Sequence, residues 1–377
     1  MRSDRLGKLG LTLRWAPAFY AQRVARRLSL GRRAPAGPCH LIFALADHFE
    51  PSILPGQPGH FATRDVQQQR LEQWCRAYPR IFDAWRDQEG FPFRHTYFFP
   101  AEQYDRGLLD QLAAHCHAGW GEVEIHLHHG LERPDTAANT RRQLLEFRDL
   151  LANRHGCLSR WQGAGEPRYA FVHGNWALAN SAQGRFCGVD EEMQILAETG
   201  CYADLTLPAA PSPAQVSKIN ALYECGLPLQ QRAPHRRGRN LRAGQTPTVF
   251  PLILQGPLAL WFHRGRPKIE NAELSGGTPP TPARFAQWRR AAIAVAGRPD
   301  WIFIKLHCHG MDPRDEPAML GDRIQAFLAW LTAHAHERGD TLHFTTAREM
   351  TNIALAACDG RSGDPGEYRN YRLRLTR

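Results

Sequence analysis

No two of the nine cysteines form a CxxC pair; they stand singly at 39, 75, 116, 157, 187, 201, 225, 308 and 358. An odd number of isolated thiols excludes a disulfide framework and a zinc ribbon as the organising device, and suits a reducing compartment. Also absent is any run of about 18 apolar residues, so no membrane span is expected. Residues 1–33 have no unbroken apolar core of the kind a secretory signal needs, because Arg, Pro or Gln interrupts each stretch. Repeats and low-complexity tracts are missing too. What remains is an ordinary globular composition, 43% hydrophobic and 22% charged over 377 residues. The expected location is cytoplasmic.

Acidic residues are scarce at the start of the chain. Residues 1–38 hold nine Arg and Lys against Asp4 alone, which is +8 of the formal +10 and leaves the rest at +2. A nucleic-acid-binding body would need basic residues spread over the folded domain, so no nucleic-acid partner is expected. Within 1–33, Leu9, Leu11, Leu13, Trp15, Phe19, Tyr20, Val24, Leu28 and Leu30 interleave with arginines. That pattern suits a basic amphipathic segment lying on the inner, anionic face of a membrane, or a helix packed on its own domain.

After a Pro/Gly break at 34–38 the chain alternates short β-like runs with helical patterns. The runs are HLIFALA (40–46), FRHTYFF (93–99), EVEIHLH (122–128), RYAFVH (168–173) and WIFIKLH (301–307). In the helical segment TRRQLLEFRDLLANRHG, Leu144, Leu145, Phe147, Leu150 and Leu151 share a stripe that ends at Gly156. Such alternation predicts an α/β fold with a parallel sheet or barrel. The organisation expected is a leader (1–38), a barrel (39–357) with an elaboration at about 205–285 carrying the hairpin-like TVFPLILQGPLALWF, and a loosely ordered basic tail (358–377).

Strand alternation sorts the histidines. In EVEIHLHHG, Glu122, Glu124, His126 and His128 share one face, and Val123, Ile125 and Leu127 the other. WIFIKLHCHG repeats the pattern with Lys305, His307 and His309, so Glu124 is expected to pair with Lys305 in the interior. Active sites of parallel α/β folds lie at the carboxyl ends of strands, where Asp47, His48, His126, His128, His129, His307 and His309 all fall. Imidazoles plus a carboxylate suit a divalent metal, zinc foremost, with a position open for water.

The order of ALADHFEP, GEVEIHLHHG, FVHGNWALANS, ILAETGCYADLTLP, FIKLHCHG and LHFTTAREM, across residues 40–355, resembles the polysaccharide deacetylase (NodB-like, carbohydrate esterase family 4) superfamily. The resemblance implies a distorted (β/α)7 barrel that removes acetyl groups from a sugar or polysaccharide at an Asp-His-His metal site. It places the metal on Asp47, His126 and His128. A second assignment stays open, in which Asp47 is the general base and His48 the ligand. His307 would protonate the leaving group, and Asp204 would steady an imidazole. His173, Asn175, Trp176 and His309 would bind substrate. Gly130 stands where the superfamily has its second histidine, so His128, or else His129, must substitute. Glu50 is a further candidate base, Trp176 and Trp261 could stack on sugar rings, and Arg232, Arg236, Arg237, Arg239 and Arg242 form a basic loop that could grip an anion. Two other readings are a metal-dependent phosphoesterase or amidohydrolase, and a weakened glycan-binding barrel docked at a membrane.

Overall fold

The β-like runs become strands of one parallel sheet. The computed structural model describes residues 10–28, 37–57, 60–263 and 265–376. The strands that matter are β1 (His40–His48), β2 (His95–Pro100), β3 (Gly121–Leu127), β4 (Ser159–Trp161), β5 (Ala164–His173), β6 (Cys201–Asp204), β7 (Leu222–Cys225), β8 (Gly238–Asn240), β9 (Leu252–Leu254), β10 (Ala259–His263), β11 (Arg266–Glu270), β12 (Glu273–Leu274), β13 (Trp301–Cys308), β14 (Thr341–Thr345) and β15 (Leu373–Leu375). Seven run parallel in the order β13-β1-β2-β3-β5-β6-β9. Strand β14 pairs with the first half of β1, and β2 with the second half of the same edge. Among the described residues the sheet does not close, since β12 and β8 end its two sides. The architecture is a mixed α/β protein with a curled half-barrel sheet rather than a complete (β/α)7 barrel.

Period-two alternation gives the sheet two apolar faces, as a buried parallel sheet requires. The outer face, with Leu41, Phe43 and Leu45 of β1, Val123, Ile125 and Leu127 of β3, and Ile302, Ile304 and Leu306 of β13, packs against helices. After α1 (Ala16–Leu28) these are α2 (Arg64–Phe82), α3 (Arg106–His115), α4 (Ala137–Asn153), α5 (Glu192–Thr199), α6 (Pro282–Ala291), α7 (Glu316–Leu320) and α8 (Asp322–Arg338). In α4 only Thr140, Leu144, Phe147 and Leu151 are buried, so the stripe is narrower than the leucine pattern suggested. The inner face carries Ile42, Ala44, Ala46, Ala170 and Val172 and receives α9 (Ala347–Cys358), all of whose residues are buried. A helix surrounded by protein must pair its polar groups. Arg348 does so with Glu122 at 2.6 Å, Glu349 with Arg94 at 2.5 Å, and Asn352 with the carbonyls of Arg369 and Leu373. The lower inner face is thereby filled, and the strand ends above it are left for polar residues.

Three expectations about organisation change. The tail is ordered: Leu373 is fully buried, β15 pairs with β4, and Arg369 lies in a buried ion-pair set with Asp87, Glu89 and Glu349. The apolar segment at 248–262 is no hairpin. Its first half, β9, joins β6 and β7, whereas its second half, β10, pairs with β11. The leader expectation falls partly outside the described residues, at 1–9 and 29–36. Within them, Trp15 and Phe19 are buried against Ala210, Ile219 and Leu258 of the elaboration, so α1 and the residues just before it pack on their own chain, with Leu13, Tyr20 and Val24 exposed. No helix among the described residues is long and apolar enough to cross a membrane.

Candidate metal centre

Strand β1 decides which of its two polar terminal residues enters the site. Leu41, Phe43 and Leu45 face the helices, so Asp47 does as well, and His48 turns inward with Ala44 and Ala46. Fully buried on the outer side, Asp47 accepts hydrogen bonds from His95 Nδ1 (2.9 Å) and the backbone N–H of Gly310 (2.7 Å), with Cys308 alongside. The expected Asp47-His126-His128 site is therefore not formed. Asp47 braces the ends of β1, β2 and β13 from behind the sheet, and neither the ligand nor the base role holds for it.

The inner face brings together Glu50, His126 and His128, whose ligating atoms lie within 4.8 Å of one another. Glu50 Oε1 is 3.0 Å from Nε2 of His126 and 3.0 Å from Nε2 of His128. The opposite ring nitrogens also meet acceptors: His126 Nδ1 lies 2.9 Å from the Val172 carbonyl and His128 Nδ1 2.7 Å from Glu102 Oε1. The four ring nitrogens thus face three oxygen acceptors in four contacts, but two neutral imidazoles carry only two protons. When both imidazoles are neutral and both protons sit on Nδ1, the Nε2 lone pairs and Glu50 Oε1 converge on one point, which a proton on His128 or a bound cation must occupy. A divalent cation resolves that convergence, and Val172 O and Glu102 then fix the tautomers from behind, as partners of metal-binding histidines do.

Around this trio lie imidazoles without full partners. The His48 ring is 4.8 Å from His126 and 4.7 Å from His309, and 6.2 Å from His307. His48 Nδ1 and His307 Nδ1 are buried with no hydrogen-bond partner. Burial, reinforced by His309, His126 and His307, pushes His48 well below the usual imidazole range. Burial, with Lys305 and His309 beside it, does the same to His307. Both are neutral, with lone pairs available. Trp176 stands 6.0 Å from His48 and 6.3 Å from His309, held at φ 58°, a left-handed conformation unfavourable for a bulky residue. An open cleft of about 280 Å³, lined by His128, His129, Glu132 and Arg133 among others, adjoins the trio. A larger cleft of about 500 Å³ between Trp161, Arg168, Leu227 and Phe250 contains no histidine, so donor chemistry rather than size locates the centre.

Other expected roles do not hold. Glu124 does not pair with Lys305; it accepts from Tyr202 Oη (2.5 Å) and the Ala170 N–H (2.6 Å), and burial lifts its carboxyl well above the usual range. Lys305 Nζ donates to the Leu205 carbonyl at 2.7 Å, and burial brings it down to about 7. Asp204 bonds to Thr206 rather than to an imidazole, and burial raises it to about 7. His173 is fully buried beside His129, Cys187 and Glu192, with no surface of its own to offer a substrate, and the Asn175 backbone N–H donates to it. In the basic loop, Arg232 reaches Asp190 and Arg239 reaches Glu224. Trp261 lies on β10, in the separate two-stranded sheet with β11. Sequence reasoning missed Glu102 and Glu192. Glu102 follows the carboxyl end of β2, a position that could have drawn attention; Glu192, buried in α5, gives no such signal.

No family model and no curated protein matches the chain. Among solved structures, a GH57 branching enzyme from the hyperthermophilic archaeon Thermococcus kodakaraensis, in complex with glucose, aligns at 13% identity and a TM-score of 0.34, covering 85% of this chain and 66% of that one. This chain therefore spans just under two thirds of that enzyme's length, and a likeness so weak carries over neither fold nor activity. The expected membership of the polysaccharide deacetylase superfamily is overturned: no model of that or any other family matches the chain, and the solved structure it aligns with is described as a GH57 branching enzyme. The residues agree. The superfamily's aspartate position faces the wrong layer here, and Gly130, at φ 64°, has the Cys187 carbonyl 2.2 Å from where a Cβ would sit.

One pH effect follows. Burial pushes His128 down, but Glu102 and Glu50, one on each nitrogen, outweigh it and raise the group from 6.5 to about 10. A raised folded value stabilises the metal-free protein fully below about pH 6.5, and that contribution is lost as pH rises toward 10. Metal-free protein should therefore lose a few kcal/mol between pH 6.5 and 10 in urea titrations. Zinc-loaded protein, whose His128 Nε2 carries no proton, should lack this slope.

Proposed function

We propose that the chain is a metal-dependent hydrolase that removes acetyl groups from a carbohydrate. The observation that carries the metal is the convergence of Glu50 Oε1 with the Nε2 atoms of His126 and His128 at 3.0 Å, both imidazoles being held by acceptors on their other nitrogens. A divalent ion bound there, zinc being well suited to two imidazoles and a carboxylate, would lower the pKa of water and polarise an acyl oxygen. The chain's own groups supply the rest. His48, neutral and without a partner on Nδ1, takes a proton from water. His307, on the same face, relays to the departing sugar oxygen or nitrogen the proton that His48 has taken, and the half-buried Trp176 offers an aromatic face for a sugar ring. The arginine loop gives a phosphoester reading less support, because Arg232 and Arg239 are engaged by Asp190 and Glu224.

The test is an assay of the full chain, stripped of metal and reloaded with zinc, against acetylated chitooligosaccharides, acetylated sugar esters and a phosphomonoester. Acetate release that depends on zinc is the expected result. Phosphate release without acetate, or acetate release unaffected by stripping, would overturn the proposal.

A further inference from the structure

We infer that the chain holds a second, structural metal site of mixed sulfur, nitrogen and oxygen ligands, formed by His129, His173, Cys187 and Glu192. The four residues are buried, and their ligating atoms lie within 4.8 Å of one another. They come from four separate places: the end of β3, the end of β5, the loop after it, and the first turn of α5. Glu192 Oε1 is 2.9 Å from His129 Nε2 and 3.8 Å from His173 Nε2, and Cys187 Sγ lies 3.6 Å from Glu192 Oε2.

Two observations point to an ion rather than to a hydrogen-bonded core. First, His173 Nε2 is fully buried, has no hydrogen-bond partner, and is aimed at the cluster. Second, His129 already has its support in place. Its Nδ1 lies 3.0 Å from Asp135 Oδ2, and Asp135 is itself held by Thr140 Oγ1 and Asn139 Nδ2, each at 2.8 Å. A carboxylate behind a histidine keeps the proton on Nδ1 and leaves Nε2 as a donor to metal. The charge closes as well: a divalent ion with one thiolate, one carboxylate and two neutral imidazoles is neutral, which a buried site favours. Binding displaces the Cys187 thiol proton and the proton on His129 Nε2. It also moves the His173 proton to Nδ1, so the 3.2 Å contact from the Asn175 N–H is given up. With all four positions taken by protein the site is closed, and its work is to tie the loops after β3 and β5 beside the Glu50-His126-His128 centre.

The test uses the whole 377-residue chain loaded with cobalt, because a thiolate ligand gives a sulfur-to-cobalt charge-transfer band that oxygen and nitrogen ligands do not. The expected result is two equivalents of cobalt and a thiolate band. Cys187→Ser and Cys187→Asp should lose the band, the latter keeping its second equivalent through an anionic oxygen. His126→Ala should lose one equivalent and keep the band, which separates this site from the proposed catalytic one. A cobalt-loaded wild-type chain without the band, or a band that survives both Cys187 substitutions, overturns the inference. Should both variants fail to fold, zinc X-ray absorption on the wild-type chain decides, and the absence of a sulfur neighbour at about 2.3 Å overturns it.

Discussion

Replacing His126 by alanine is expected to remove the metal from the Glu50-His126-His128 centre and to lower kcat/KM by more than about 100-fold. Loss of a group that merely supports a ligand costs 10- to 100-fold in affinity or activity as a rough range, and His126 is a proposed ligand itself. The fold should survive. Truncation leaves the Val172 carbonyl without its partner, roughly 1–3 kcal/mol, but it also relieves the metal-free contact between Nε2 and Glu50 Oε1 at 3.0 Å. Metal content by elemental analysis, kcat/KM and a urea titration on one preparation separate the three effects. Asp47→Asn is the informative control. Asparagine keeps an oxygen for the Gly310 N–H but cannot serve His95 as a carboxylate does, so stability should fall by about 1–3 kcal/mol with metal content unchanged. The opposite pattern, with metal lost in Asp47→Asn and retained in His126→Ala, would move the centre to the Asp47-His95-Cys308 trio behind the sheet.

That control also shows where the sequence was legible. Alternation in EVEIHLHHG places His126 and His128 on one face, and the structure has them 4.6 Å apart ring to ring. The same rule applied to HLIFALADHFEP, with bulky Leu41, Phe43 and Leu45 against small Ala44 and Ala46, turns His48 inward and Asp47 outward. The family pattern puts the aspartate in the site, whereas the local period puts it behind the sheet, where the structure has it. Glu50 and Glu102 are another matter. Both lie just past strand ends, where the chain leaves the regular period, so their direction depends on loop backbone that no periodicity describes. The unclosed sheet was illegible for a similar reason. Short strands such as β9 and β7 carry three or four residues each, too few to tell a hairpin from two separate pairings.

Gly130→Ala is expected to cost on the order of 3–5 kcal/mol, a large effect for adding one methyl group. Two penalties add: the residue sits at φ 64°, where a Cβ is unfavourable by about 1–3 kcal/mol, and that Cβ would lie 2.2 Å from the Cys187 carbonyl oxygen. The carbonyl has little room to yield, because it accepts the Asp135 N–H at 2.8 Å, and Asp135 in turn holds His129. Relaxation must therefore move the loop that carries Cys187 or the one that carries Asp135. The urea midpoint should drop sharply, and the thiolate-to-cobalt band should weaken with it, while the centre at Glu50, His126 and His128 retains its equivalent in the folded fraction. A variant as stable as the parent would show that the two loops are not locked together at Gly130. The glycine that ends EVEIHLHHG is the point where backbone crowding excludes a histidine and brings Cys187 beside His129.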